Sequence, residues 1–360
     1  MYPDFQYLLQ SLLGVEIPEW VGIFKTFGFL MALAFVAGAM VIVRELKRKE
    51  AAGLLLPNIV EQVDKKTGVK KKVAVYPHQK VTDIIVVAAI AGLAGAKIFN
   101  AFETWQDFLQ NPIDNLFSRS GLTFYGGLIG AGIALYYYTK KYKISFIHFA
   151  DAAAPALMLA YGVGRLGCHF SGDGDWGIFN SAYITRPDGS LVLAQAGEYE
   201  AMLQKVPGFF TKDFGALNAV PSIHAVAPSW LPDWTYAMNY AHNVNHEGVM
   251  IAGCTGNYCS VLPVGVFPTS LYEALACTIL FLVIMACRKV FPRPLHLFGF
   301  YLILNGLERF FIEKIRVNYE YDWGFLHPSQ AEIISSGLVL LGAAILLFYK
   351  PRTGNPAKSQ

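Results

Sequence analysis

The sequence predicts an all-α polytopic membrane protein of seven transmembrane helices, with the N-terminus outside, the C-terminus cytoplasmic and an irregular outer head domain. Three observations carry that prediction. The chain of 360 residues is 54% hydrophobic and only 15% charged, where soluble proteins carry about 25% charged residues. Seven apolar segments approach the roughly 20 residues that a helix needs to cross a hydrocarbon layer about 30 Å thick; they fall near 23–43, 82–101, 121–139, 146–166, 269–287, 296–316 and 331–349. Basic residues concentrate in alternate links. Arg44, Lys47, Arg48, Lys49, Lys65, Lys66, Lys70, Lys71, Lys72 and Lys80 follow the first segment, and Lys140, Lys141 and Lys143 the third. Arg288, Lys289 and Arg293 follow the fifth segment, and Lys350, Arg352 and Lys358 the last. By the positive-inside rule these links face the cytoplasm.

Residues 1–43 are expected to hold an outer N-terminal segment and the first transmembrane helix. Asp4, Glu16 and Glu19 precede that helix and no basic stretch opens the chain, so the helix is read as an anchor and not a cleaved signal peptide. Residues 44–81 form a basic cytoplasmic link in which DKKTG (64–68) marks a turn between two short extended pieces. Residues 82–167 carry helices two to four. Residues 168–268 form the outer, periplasmic head domain, rich in aromatics, proline and glycine and without a long helical period; Trp176, Trp230, Trp234 and Tyr236 are its candidate interfacial aromatics. Helices five to seven occupy 269–349, and 350–360 is a cytoplasmic tail.

The cysteines fit that layout. In an oxidising compartment 254-CTGNYC-259 predicts a small disulfide loop, two free thiols being the alternative. A zinc site would need two more ligands, and His242 and His246, four apart, lie in a tract with little helical character, so no metal is expected. Cys277 and Cys287 read as small core residues. The net charge of +3 gives no sign of nucleic-acid binding.

Ionisable groups inside a bilayer cost about 2.5–3.5 kcal/mol each on insertion scales, so their placement points to function. With odd helices running inward and even ones outward, Lys97, Tyr125, Arg165, Tyr272, Glu273, Arg309, Glu313 and Arg316 all fall in the outer half of the membrane. In 309-RFFIEKIR-316 the offsets of four and seven place Arg309, Glu313 and Arg316 on one helical face, where Glu313 can hold either arginine. A guanidinium suits bidentate recognition of phosphate, which membrane lipids supply at this depth. Glycines in 124-FYGGLIG-130 and 92-GLAGA-96 let helices, or a lipid, approach the backbone; for 92-GLAGA-96 helix packing is the better reading.

The motifs GLTFYGGLIG (121–130), ADAAAPALMLAYGVGRLGC (150–168), FPTSLYEA (267–274) and LERFFIEKIR (307–316), in this order, resemble bacterial prolipoprotein diacylglyceryl transferases, as do 27-FGFLMALAF-35 and 92-GLAGAKIF-99. The resemblance covers about 27–177 and 267–348. It implies an enzyme of the inner membrane that moves the diacylglyceryl group of phosphatidylglycerol onto the lipobox cysteine of a prolipoprotein signal peptide, forming a thioether and releasing glycerol phosphate. It implies no cofactor and a monomer, with the site toward the periplasm. Arg165 and Arg309 match the family's headgroup-binding arginines; Asp173, Asp151, Gly177, Tyr272, Glu273, Glu313 and Arg316 match further motif positions, and Gly126 and Gly127 its paired glycines. The chain departs from the pattern at Tyr125, where histidine is frequent, at Phe27 for tyrosine, Lys97 for arginine, Cys168 for asparagine and Ser270 for glutamine, and its outer domain is longer.

The implied chemistry needs a thiolate and a stabilised leaving phosphate. Arg165 and Arg309 suit the second task. For the first, Tyr125, His169 and Asp173 are candidates, and a cationic pocket alone could lower a thiol pKa from its usual value near 8.5. A non-catalytic lipid-binding or lipid-moving paralogue is the rival reading. A solute transporter would show repeat symmetry and paired broken helices, neither of which is evident.

Overall fold

The computed structural model describes residues 1–350 except 64–69, 118–122, 175, 319–320, 322–323 and 325–326. The expected turn at 64–68 and the 350–360 tail therefore lie outside the described residues, Lys350 apart. The elements in chain order are α1 (Phe5–Leu13), α2 (Thr26–Ala51), β1 (Asn58–Val63), β2 (Lys70–Val75), α3 (Val81–Glu103), α4 (Trp105–Gln110), α5 (Pro112–Phe117), α6 (Phe124–Lys141) and α7 (Phe146–Ser171). There follow β3 (Phe179–Thr185), β4 (Leu191–Leu193), α8 (Glu198–Lys205), α9 (Pro207–Phe214), β5 (Ser222–Ile223), β6 (Val249–Met250), β7 (Ser260–Val261), β8 (Val264–Val266), α10 (Thr269–Cys287), α11 (His296–Glu313) and α12 (Gln330–Phe348).

Among the described residues, five helical stretches are long and apolar enough to cross a membrane: Thr26–Ala51, Pro77–Glu103, Phe146–Ser171, Thr269–Cys287 and Gln330–Phe348. The chain is a mostly helical, polytopic membrane protein. The third and sixth expected spans, α6 and α11, are helices of 18 residues each but are less apolar. Three tyrosines and two lysines end α6, and Glu308, Arg309 and Glu313 interrupt α11.

The chain divides into two compact units. One comprises residues 1–34, 157–286 and 299–347, the other 35–156, 287–298 and 348–360.

In the first unit, α7 meets α10 at Gly162, where an added Cβ would lie 2.9 Å from the Cβ of Cys277. Gly299 and Gly306 of α11 likewise admit Ile345 and the Ser335 carbonyl of α12. Of residues 168–268, expected to be irregular, the first four continue α7 to Ser171, and the rest contains a small sheet in which β3 pairs antiparallel with β4 and β8 and parallel with β5. Phe179, Ile184, Tyr199, Phe210, Tyr240, Leu262, Val264 and Val266 form the core beneath it. β3 is buried along nearly its whole length, on both faces, and the other strands here have two or three residues, so none leaves a readable period of two. Trp176, expected as an interfacial aromatic, packs against Tyr240 with ring centroids 5.3 Å apart. Cys254 and Cys259 form the expected disulfide.

In the second unit, β1 and β2 are the two expected extended pieces, paired antiparallel from Asn58↔Val75 to Val63↔Lys70. The close crossing of α3 and α6 is made of glycine. A Cβ on Gly95 would stand 2.3 Å from the Gly126 carbonyl, and one on Gly126 would stand 2.6 Å from the Gly95 carbonyl. A buried apolar cluster of Ile42, Leu46, Leu55, Val81, Ile84, Ile144, Phe149, Ala152 and Ala156 completes this unit.

Candidate active site

The sequence YGVGR places Tyr161 and Arg165 four residues apart, hence on one face of α7. The Arg165 guanidinium lies over the Tyr161 ring, 5.2 Å from its centroid, and its Nε and Nη2 donate to the Tyr161 hydroxyl at 3.3 and 3.2 Å. Both groups turn to one carboxylate. Arg165 Nε stands 2.8 Å from Glu273 Oε2, and the Tyr161 hydroxyl donates to Glu273 Oε1 at 3.2 Å.

Glu273 comes from the second turn of α10 and has no solvent exposure. From α11, Arg309 Nη1 donates to its Oε1 at 2.9 Å, while Nη2 pairs with Glu313 at 2.9 Å. Arg316 Nη1 lies 3.7 Å from Glu273 Oε2. The face anticipated for Arg309, Glu313 and Arg316 is thus realised with one change: α11 ends at Glu313, and Arg316 follows in a tightened turn whose N–H groups bond three residues back. Glu313 is fixed in turn, accepting from Ser329 Oγ at 2.8 Å and Asn318 Nδ2 at 2.6 Å.

Three guanidiniums therefore surround one buried carboxylate. A lone buried carboxylate would be strongly unfavourable; the arginines make it tolerable, and it draws them together. The side chains of Arg165, Arg309 and Arg316 keep 15%, 21% and 9% exposure while Glu273 keeps none, so an arriving anion meets guanidinium and not carboxylate.

The loop after α7 returns to this place. Gly172 and Gly174 take positive φ of 68° and 75°, and the Asp173 N–H bonds the Cys168 carbonyl at 3.0 Å. Gly177 bridges Arg316 and donates to the Phe267 carbonyl at 2.8 Å. A Cβ there would stand 2.7 Å from the Ile315 carbonyl, so the close approach requires glycine. His169 is buried, with Nδ1 at 3.4 Å from the Tyr240 hydroxyl and 3.5 Å from Ser270 Oγ. The Tyr272 hydroxyl donates to the Thr235 carbonyl.

The other expected residues belong to the second unit. Tyr125, Gly126 and Gly127 open α6, and the two glycines face Gly95 and Gly92 of α3. Lys97 Nζ donates to the Asn115 carbonyl at 3.1 Å. Asp151 is buried and anchors the start of α11, accepting from the Leu295 and Phe298 N–H groups at 2.9 and 3.0 Å and from Lys49 at 3.3 Å.

Sequence reasoning passed over two residues of the first unit. Tyr161 carries no charge, so it left no mark in an apolar span, although its spacing from Arg165 was readable. Glu308, beside Arg309, is buried with both carboxylate oxygens accepting no hydrogen bond among the described residues; an acid inside an apolar segment was itself the available signal.

Comparison with known proteins agrees with the motif reading. The family model for prolipoprotein diacylglyceryl transferase matches residues 20–348. A phosphatidylglycerol–prolipoprotein diacylglyceryl transferase of Leptospira interrogans is 30% identical over 190 residues, 46% of this chain, and the match spans about half of that relative, 51% of its length. The protein of that name from Enterococcus faecalis is 27% identical over 76% of this chain and 77% of its own. That from Chlorobaculum tepidum is 27% identical over 78% and 76%. With a family match running from residue 20 to residue 348, the chain belongs to the prolipoprotein diacylglyceryl transferase family.

Proposed function

We propose that the chain transfers the diacylglyceryl group of phosphatidylglycerol to the lipobox cysteine thiol of prolipoproteins. The sulfur attacks the glyceryl carbon that bears the phosphate, the C–O bond breaks with its electron pair going to oxygen, and glycerol phosphate departs. The thiol proton passes to a base or to water. The observation that carries this reading is the convergence of Arg165, Arg309 and Arg316 on Glu273. The three fixed guanidiniums keep some exposure while Glu273 keeps none, so they are the groups that bind the phosphodiester and stabilise the charge developing on the leaving phosphate. Their shared carboxylates hold the guanidiniums in place before substrate arrives.

Within this reading the chain has seven spans, α6 and α11 included, with residues 1–43 beginning outside, 44–81 cytoplasmic, 168–268 forming a periplasmic head and 350–360 returning to the cytoplasm. The protein acts as a monomer in the inner membrane, with the site toward the periplasm. Asp173, Gly177, Tyr272 and His169 shape the headgroup pocket. Tyr125 is the proposed proton acceptor; His169 and Asp173 are its competitors.

Labelled phosphatidylglycerol and a lipobox peptide test the whole proposal. Thioether product with wild-type protein supports transfer; headgroup binding without product would favour a lipid-binding paralogue. Loss of glycerol phosphate release in Tyr125→Phe but not in His169→Ala assigns the base to Tyr125, and the reverse pattern removes it.

A further inference from the structure

Residues 222–236 (SIHAVAPSWLPDWTY) turn apolar side chains outward from a backbone that is tied down. Ile223, Val226, Trp230 and Trp234 are exposed, the two tryptophans at 77% and 52%. Beneath them, the buried Asn180 of β3 spans the loop: its Nδ2 donates to the Ala225 carbonyl at 2.7 Å and the Tyr236 carbonyl at 3.2 Å, and its Oδ1 accepts from the Ala225 N–H at 3.1 Å. The buried Tyr183 is a second strut, its hydroxyl accepting from the Ala227 N–H at 3.0 Å and donating to Asp233 Oδ1 at 2.9 Å. A third is the Tyr272 hydroxyl on the Thr235 carbonyl.

That third strut sets the loop's height. Helix α10 has 19 residues, about 28 Å at 1.5 Å per residue, so nearly all of it is needed to cross a hydrocarbon layer about 30 Å thick. Tyr272 is in its first turn and lies at the edge of that layer. The Thr235 carbonyl is one hydrogen bond away, and Trp234 is the preceding residue. Tryptophan is the side chain that partitions to this interface. The stretch contains no lysine or arginine, and its one carboxylate, Asp233, is held by Tyr183. Apolar partition, not attraction to anionic lipid, is the contact the loop is built for.

We infer that loop 222–236 buries Trp230 and Trp234 in the lipid interface at the N-terminal end of α10, so that membrane contact sets the height of the adjoining Glu273 and its arginines relative to the headgroups. The inference requires α10 to span the bilayer and is independent of transferase activity, so the two fail separately. The test is tryptophan fluorescence of the full chain in proteoliposomes of phosphatidylcholine brominated at shallow acyl positions. The signals of Trp230 and Trp234 are obtained by difference from Trp230→Phe and Trp234→Phe, which keep an aromatic ring at an exposed position. The expected result is at least about a twofold loss of each difference signal in brominated bilayers, unchanged by high salt, with little quenching by aqueous iodide. Quenching by iodide without quenching by brominated lipid would place the tryptophans in water, open to a peptide or another protein, and overturn the inference.

Discussion

Arg165 and Glu273 stand 2.8 Å apart, and each has a different substitution that isolates its part. Arg165→Lys keeps a charge but loses the planar fork that meets phosphate at two points. One charge-assisted hydrogen bond is worth about 1.5–3 kcal/mol, so transfer should fall by roughly 10- to 150-fold at about 1.4 kcal/mol per decade. Glu273→Gln keeps shape but leaves Arg165, Arg309 and Arg316 without their shared anion. Breaking a buried ion pair costs about 3–5 kcal/mol, and thermal unfolding in detergent should show a lowered midpoint together with lost activity. At this scale charge was the informative signal: Arg165, Arg309, Glu273 and Glu313 were readable because a charge in an apolar segment needs a reason, and Glu308 carries the same signal without having been singled out. Tyr161 was not, since its hydroxyl matters only once folding brings it within 3.2 Å of Glu273.

Elements were legible in proportion to their length. The long apolar helices α3, α10 and α12 follow the expected spans closely, while α7 continues past its expected end at 166 to Ser171 and α2 past its expected end at 43 to Ala51, into the basic link. The short α1, α4, α5, α8 and α9 and the strands β3 to β8 leave too little pattern to be read, whereas β1 and β2 are legible from the turn signal between them. The end of α11 at Glu313 depends on the Gly177–Arg316 bridge, a contact between segments distant in sequence. Two predictions belong here. Gly95→Ala places a methyl 2.3 Å from the Gly126 carbonyl, and overpacking of this kind costs about 1–3 kcal/mol; α3 and α6 should separate, read as a lower unfolding midpoint. Replacing Cys254 and Cys259 by serine removes a small covalent loop between positions 254 and 259. The chain-entropy relation gives about 2 kcal/mol for so short a loop, so chemical denaturation should shift to lower denaturant while the spans stay inserted.

For the whole molecule, charge asymmetry between alternate links supplied the expected topology, and motif order supplied the family; the family is shown by the match over residues 20–348. Placement of single cysteines in 44–63 and in 186–200 tests the topology in intact cells. Reagents that do not cross the inner membrane should label the second set and spare the first. What unites residue, helix and family is the claim that the arginines gathered on Glu273 hold a lipid phosphate while a thiol displaces it. Thioether formation between labelled phosphatidylglycerol and a lipobox peptide, compared in proteoliposomes for wild type and Arg165→Ala, tests it most directly. The account predicts product with wild type and, for loss of a charge-assisted contact, a fall of about 10- to 150-fold or more in the variant. Equal product from both proteins would contradict it.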